Sequence, residues 1–251
     1  MILTLNIHES RVSDIVSRDQ LVTTPALPIR AYRDSFGNWC TRVLAPGGDV
    51  RLSADALISD SGAPDIVDRG APQIPVDALP EEVLLYLLGS RYCETDRLSS
   101  IAWQLFAGAP TGWGRVQAIC DFVHAHLTFG YAYARPTKSA WEAYQEGNGV
   151  CRDFAHLAVA FCRCMNIPAR YCTGYLGDIG VPASSAPMDF SGWFEAYLGH
   201  RWYTFDARHN TPRIGRVLIA RDRDAADVAI STTFGSSTLK RFQVWTTEVA
   251  T

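Results

Sequence analysis

Gly149-Val-Cys-Arg-Asp-Phe-Ala-His156 is the stretch on which the reading of this chain turns. It follows a breaker cluster, Gly147-Asn-Gly149. It opens a run in which Phe154, Leu157, Ala158, Phe161 and Met165 recur at helical spacing. The pattern predicts a helix with one apolar face and Cys151 in its first turn. A thiol there meets the positive end of the helix dipole and backbone N–H groups that lack intrahelical partners. Both favour the nucleophilic thiolate, and the same N–H groups can stabilise an oxyanion. A cysteine in such a place is more often a small packed hydrophobe than a nucleophile, so the spacing alone does not make Cys151 catalytic.

Downstream, Asn166 and Pro168 end the helix, and Ala169–Leu176 reads as a strand. Ser191–Leu198 and Arg201–Asp206 flank a two-residue Gly199-His200 turn and predict a hairpin. Leu198 then pairs with Arg201, Trp193 faces Asp206 and Ser191 faces Arg208. Alternation puts these last four residues on one side of the sheet, with Ser191 and Asp206 diagonal neighbours about 7–8 Å apart. His209 falls on the opposite side. Val217–Arg221 and Phe242–Thr246 are further strand candidates.

Upstream, Pro80–Leu88, Asp96–Phe106, Trp113–His126 and Ser139–Gln145 read as helices. Residues 1–75 carry short β-type runs: Leu21–Thr24, Ile29–Tyr32, Trp39–Leu44 and Val50–Leu52. Asp34–Asn38 and Pro46–Asp49 supply turn residues between them. Ser61–Pro64 and Gly70–Pro72 make a linker. The expected organisation is a small β-rich region, 1–75, before an α+β core, 76–251, of helices packed on an antiparallel sheet.

Composition narrows the function classes. The 251 residues are 47% hydrophobic, 11% aromatic and 20% charged, which suits a sizeable globular core. A net charge of −3 without a basic run argues against nucleic acid. No segment approaches the ~20 apolar residues of a membrane span, and the N-terminus does not read as a secretory signal. Seven scattered cysteines then read as reduced thiols, with a cytoplasmic location. Cys162 and Cys164, with Cys172 nearby, lack the spacing of a zinc site. With no phosphate-binding glycine loop either, no metal or cofactor is implied.

Four segments in order resemble the bacterial transglutaminase-like superfamily: Gly149–His156, Asn166-Ile-Pro-Ala-Arg-Tyr-Cys-Thr-Gly-Tyr175, Trp193-Phe-Glu-Ala-Tyr-Leu198 and Arg201-Trp-Tyr-Thr-Phe-Asp206. Ser90–Asp96 is similar to the segment that opens the core there, and Asp34–Asn38 to a mark of the N-terminal β-region. The chain begins abruptly against that pattern. The resemblance implies a papain-like core and a Cys–His–Asp triad acting on a peptide or protein amide. Cys151 matches the nucleophile and Asp206 the carboxylate. The histidine, expected within Asp-Phe-His-Ala-Trp, is replaced, because this chain reads Asp189-Phe-Ser-Gly-Trp193. Ser191 stands at that position, and a hydroxyl does not shuttle protons near neutral pH as imidazole does.

Two functions follow from that replacement. One is cysteine-dependent acyl transfer or hydrolysis through a thioester at Cys151. The other is a catalytically impaired relative whose groove binds a peptide or protein partner. Trp193 and Arg208 are candidate substrate contacts, Trp193 equally core or groove wall. Asp153 reads as a helix cap. For the remaining histidines a structural role is the default; His209 comes nearest to a substitute base, should a bulge turn it toward Asp206, whereas His156 lies about 140° round the helix from Cys151.

Overall fold

The computed structural model describes residues 1–184 and 187–249. Among these residues twelve strands occur in chain order: β1 (Ile2–Leu3), β2 (Gln20–Thr24), β3 (Ile29–Arg33), β4 (Trp39–Val43), β5 (Arg51–Asp55), β6 (Thr128–Phe129), β7 (Asn148–Gly149), β8 (Ala169–Leu176), β9 (Ser191–Leu198), β10 (Arg201–Phe205), β11 (Arg216–Asp222) and β12 (Ser231–Thr232). The α-helices are α1 (Glu81–Leu84), α2 (Thr95–Phe106), α3 (Trp113–His126), α4 (Ala140–Glu146) and α5 (Cys151–Cys164). The fold is α+β, as expected.

The core sheet is antiparallel in the order β10-β9-β8-β11. The predicted hairpin is present, with Arg201 opposite Leu198 and Phe205 opposite Phe194. The strand stops at Phe205, so the expected pairings of Asp206 and Arg208 lie past the end of the ladder. Phe242–Thr246 is irregular rather than a strand. Its Thr246 N–H reaches the Met188 sulfur at 3.3 Å and its Phe242 ring lies 5.7 Å from that of Phe190.

Helix α5 packs on β8 and β9 and against α2, α3 and α4. Every residue from Asp153 to Cys164 is buried, not one face alone. Internal partners hold its buried His156 and Arg163, although His156 Nδ1 has none. His156 Nε2 accepts the Ala225 N–H at 3.1 Å, and its ring stacks on Tyr92. Arg163 donates to the carbonyls of Leu88, Ala169 and Arg223.

A second antiparallel sheet has the order β12-β1-β4-β3, so residues 231–232 join the N-terminal strands. The Asp34–Asn38 turn ties this region to the core. Asn38 donates its amide to the Arg221 carbonyl at 3.1 Å and accepts the Arg221 N–H at 2.9 Å.

Next to this junction Asp222 is fully buried. One oxygen accepts the Arg223 N–H and the other has no partner. Burial, reinforced by the Asp227 charge, pushes its pKa up to about 8. The folded protein therefore holds a proton there that the unfolded chain releases near pH 4. Stability contributed by this proton is present at low pH and falls by about 1.4 kcal/mol per unit as pH rises from about 4 towards 8. We expect Asp222→Asn to flatten that decline, so that thermal unfolding at pH 8.5 occurs at a higher temperature than in the unmodified protein. An unchanged difference in melting temperature between pH 5.5 and 8.5 would remove Asp222 as its source.

Candidate active site

The approach to Cys151 is set by a buried lysine. Lys138 Nζ donates to the Asn148 carbonyl and side chain and pairs with Glu146 at 2.8 Å. This fixes β7, whose Gly149 leaves no room for a side chain. A Cβ there would lie 2.6 Å from Asp153 Cβ. Asp153 instead folds back to accept the Val150 N–H at 2.9 Å and pairs with Arg152 at 3.0 Å, acting as the cap.

Cys151 begins α5. It is the one cysteine of seven that is not buried. Strand β9 runs past it. The thiol donates to the Phe190 carbonyl at 3.7 Å. Gly192 permits this approach, because a Cβ would lie 3.3 Å from Arg152 Cα and 2.9 Å from the Tyr171 hydroxyl. Burial raises the Cys151 pKa to about 11; Arg208 and the Gly192 N–H oppose the rise, while Asp189 and Asp206 add to it. The helix terminus was expected to favour thiolate. Desolvation outweighs it here, and the resting group is the thiol.

Asp206 holds the other half of the site. Its side chain is buried, and residues 206–210 form a turn closed by Asn210 N–H on the Asp206 carbonyl at 2.8 Å. One carboxylate oxygen accepts the N–H groups of Arg208 and His209, both at 3.0 Å. The other accepts His209 Nδ1 and Arg216 Nη2, both at 2.9 Å. Despite the cost of burial, His209 and Arg216 hold this carboxyl far below the usual range. An ionised carboxylate only accepts, so His209 Nδ1 is the donor of this pair, which fixes the orientation of the ring.

The strand-alternation expectation for His209 therefore fails. The ladder ends one residue before Asp206, and the turn brings His209 back beneath it. The sequence did carry a signal for this: aspartate accepts N–H groups two and three residues on, and Asn210 takes a left-handed φ of 52°.

The remaining candidates are placed as follows. Ser191 starts β9 between Phe190 and Gly192, is 5% exposed, and its hydroxyl has no hydrogen-bond partner. Trp193 is 3% exposed and packs with Cys172 and Leu218, so it is core rather than a surface for substrate. Arg216 lies over its ring at 5.0 Å, which links Trp193 to Asp206 from below. Arg208 is half-buried over Phe129, 3.7 Å from the ring centre. Sequence reasoning missed Arg216, whose contact with Asp206 joins elements distant in the chain.

The geometry sets a reactivity order. Burial raises the other six thiols too, Cys93 and Cys164 to about 12 and Cys40, Cys120, Cys162 and Cys172 in the same direction, and all six are buried where Cys151 is not. Alkylation of the folded protein should therefore mark Cys151 first. Its rate should rise about tenfold per pH unit from pH 7 to 10, following the thiolate fraction. Site-resolved mass spectrometry reads both. A plateau above pH 8 would contradict the raised pKa, and equal labelling of all seven would contradict the site.

A family model of the transglutaminase-like superfamily matches residues 99–207. The structure of a cysteine protease candidate from Cytophaga hutchinsonii superposes with a TM-score of 0.78 at 30% identity, over 94% of this chain and 80% of that chain. The chain belongs to the transglutaminase-like superfamily. An uncharacterized protein of Mycobacterium leprae (strain TN) is 32% identical over 94 residues, 36% of this chain and 33% of that protein. The chain thus spans about a third of the length of that curated relative.

In this transglutaminase-like protein the matched segment contains Cys151, Ser191 and Asp206 and stops two residues before His209. Three other imidazoles are held elsewhere: His124 on the Arg208 carbonyl, His126 on the Tyr144 carbonyl and His156 on the Ala225 N–H. No helix among the described residues is long and apolar enough to cross a membrane.

Proposed function

We propose that this transglutaminase-like protein carries out cysteine-dependent acyl transfer or hydrolysis on an amide or peptide, through a thioester at Cys151, with His209 supplying the imidazole that position 191 lacks. The observation that carries this reading is the Asp206–His209 pair at 2.9 Å, an oriented imidazole on the carboxylate that the family pattern assigns to the site. The exposure of Cys151 alone among the cysteines supports it.

The steps balance as follows. The thiol proton passes to His209, and sulfur bonds to the amide carbonyl carbon. Backbone N–H groups at the start of α5 would stabilise the oxyanion. The carbon–nitrogen bond breaks, and the imidazolium returns the proton to the departing ammonia or amine. Water or a second amine then attacks the thioester carbon and gives a proton to His209, which restores the thiol as sulfur leaves. Seven free thiols support a reducing, cytoplasmic setting.

One observation favours a second reading, a groove that binds without turnover: the Cys151 thiol donates to a backbone carbonyl rather than to an imidazole. A panel of glutaminyl and other amide peptides with a labelled primary amine separates the two. Ammonia release, amine incorporation or cleavage above background supports the first reading. Saturable peptide binding with none of these products supports the second.

A further inference from the structure

We propose that Arg208 selects substrates that carry a carboxylate beside the scissile amide, so that the acyl donor is an acidic peptide or a related amide. This deepens the function proposed above and rests on it.

The main chain of Arg208 is clamped on both sides. Its N–H donates to Asp206 at 3.0 Å and its carbonyl accepts from His124 Nδ1 at 2.9 Å. The guanidinium carbon lies 3.7 Å from the centre of the Phe129 ring. Phe129 pairs with Gly149 across the β6–β7 ladder, two residues before Cys151, and its ring is 6.4 Å from that of Phe154 on α5. The cation thus lies over the ring that packs beside the start of the cysteine helix. Its charge is also the first among those that oppose the rise in the Cys151 pKa.

Neighbouring arginines are engaged and this one is not. Arg152 pairs with Asp153 and donates to the Arg135 carbonyl, Arg213 donates to the Gly177 carbonyl, and Arg216 holds Asp65 and Asp206. Among the described residues no carboxylate lies within 4.0 Å of the Arg208 guanidinium. Asp189, the acid that shares its field, accepts the Phe190 N–H at 2.7 Å instead. A guanidinium lying over an aromatic face keeps its in-plane N–H donors for another partner. Their fork geometry matches a carboxylate, and the half-buried site makes the pair stronger than one in open water.

Two alkylating reagents of nearly equal size test this without requiring turnover. Iodoacetate carries a carboxylate next to its reactive carbon, and iodoacetamide carries a neutral amide. The same Cys151 thiolate attacks the CH2 carbon of each and displaces iodide, so any effect of Arg208 on the thiol pKa cancels in the ratio of their rates. The iodoacetate-to-iodoacetamide ratio at Cys151 should fall about tenfold in Arg208→Gln, the size of a lost charge-assisted contact. Arg208→Lys should fall between the two proteins, and Arg201→Gln should leave the ratio unchanged. Melting temperatures check that each variant is folded. Equal ratios in the unmodified protein and Arg208→Gln would overturn the proposal. Should Cys151 resist both reagents, the nucleophile reading fails by itself. Glutarate binding by calorimetry then decides Arg208: affinity lost in Arg208→Gln upholds the anion site, and equal affinity overturns it.

Discussion

Cys151→Ala is expected to lower amide turnover by at least about 10⁴-fold while leaving the fold intact. The argument is chemical and structural together. In the proposed reaction the sulfur is the atom that bonds to the acyl carbon, and the other six cysteines are buried. Its removal costs little stability, because the thiol makes one long hydrogen bond, to the Phe190 carbonyl at 3.7 Å. We expect melting within the range of an ordinary surface change, about 0.5 kcal/mol. Ammonia release and calorimetry on the same preparation test both halves. Retained turnover would move the chemistry away from Cys151, and unfolding would make the site structural.

Asp206→Asn is expected to affect both activity and stability. The carboxylate accepts four hydrogen bonds, from the N–H groups of Arg208 and His209, from His209 Nδ1 and from Arg216. An asparagine offers one oxygen, and its amide hydrogens would face a guanidinium or an imidazole N–H. Breaking one side of such a buried pair costs about 3–5 kcal/mol. Turnover should fall about 10²–10⁴-fold through loss of the oriented base. His209→Gln should reproduce the loss of turnover with a much smaller loss of stability, since His209 is partly exposed. Both substitutions together should then lower turnover little further than either alone, because the pair acts as a unit. Full additivity would separate His209 from Asp206. The low pKa of Asp206 adds a pH signature. Its contribution to stability is present above about pH 4, the unfolded value, and is lost as pH falls below it.

Much of this site was legible before any coordinates. The breaker cluster and apolar spacing marked α5 at its true first residue, and the Gly199-His200 turn fixed the β9–β10 pairing. Local pattern suffices there, because helix periodicity and turn chemistry act over a few residues. Besides Arg216, three features escaped. His209 depends on where a strand stops, which alternation cannot report. The thiol pKa depends on how closely β9 crosses the helix start, a tertiary distance. Phe242–Thr246 has β-type residues yet runs alongside Met188 and Phe190 without a strand partner. Propensity describes a suitable residue, whereas a ladder needs a neighbour.

The most direct test is intact-protein and peptide mass spectrometry after brief exposure to an acidic glutaminyl peptide, with and without hydroxylamine. The account predicts an acyl adduct on the peptide that contains Cys151, removed by hydroxylamine as a thioester is, and absent from Cys151→Ala. Product released while Cys151 stays unmodified, or an adduct that persists in Cys151→Ala, would contradict it.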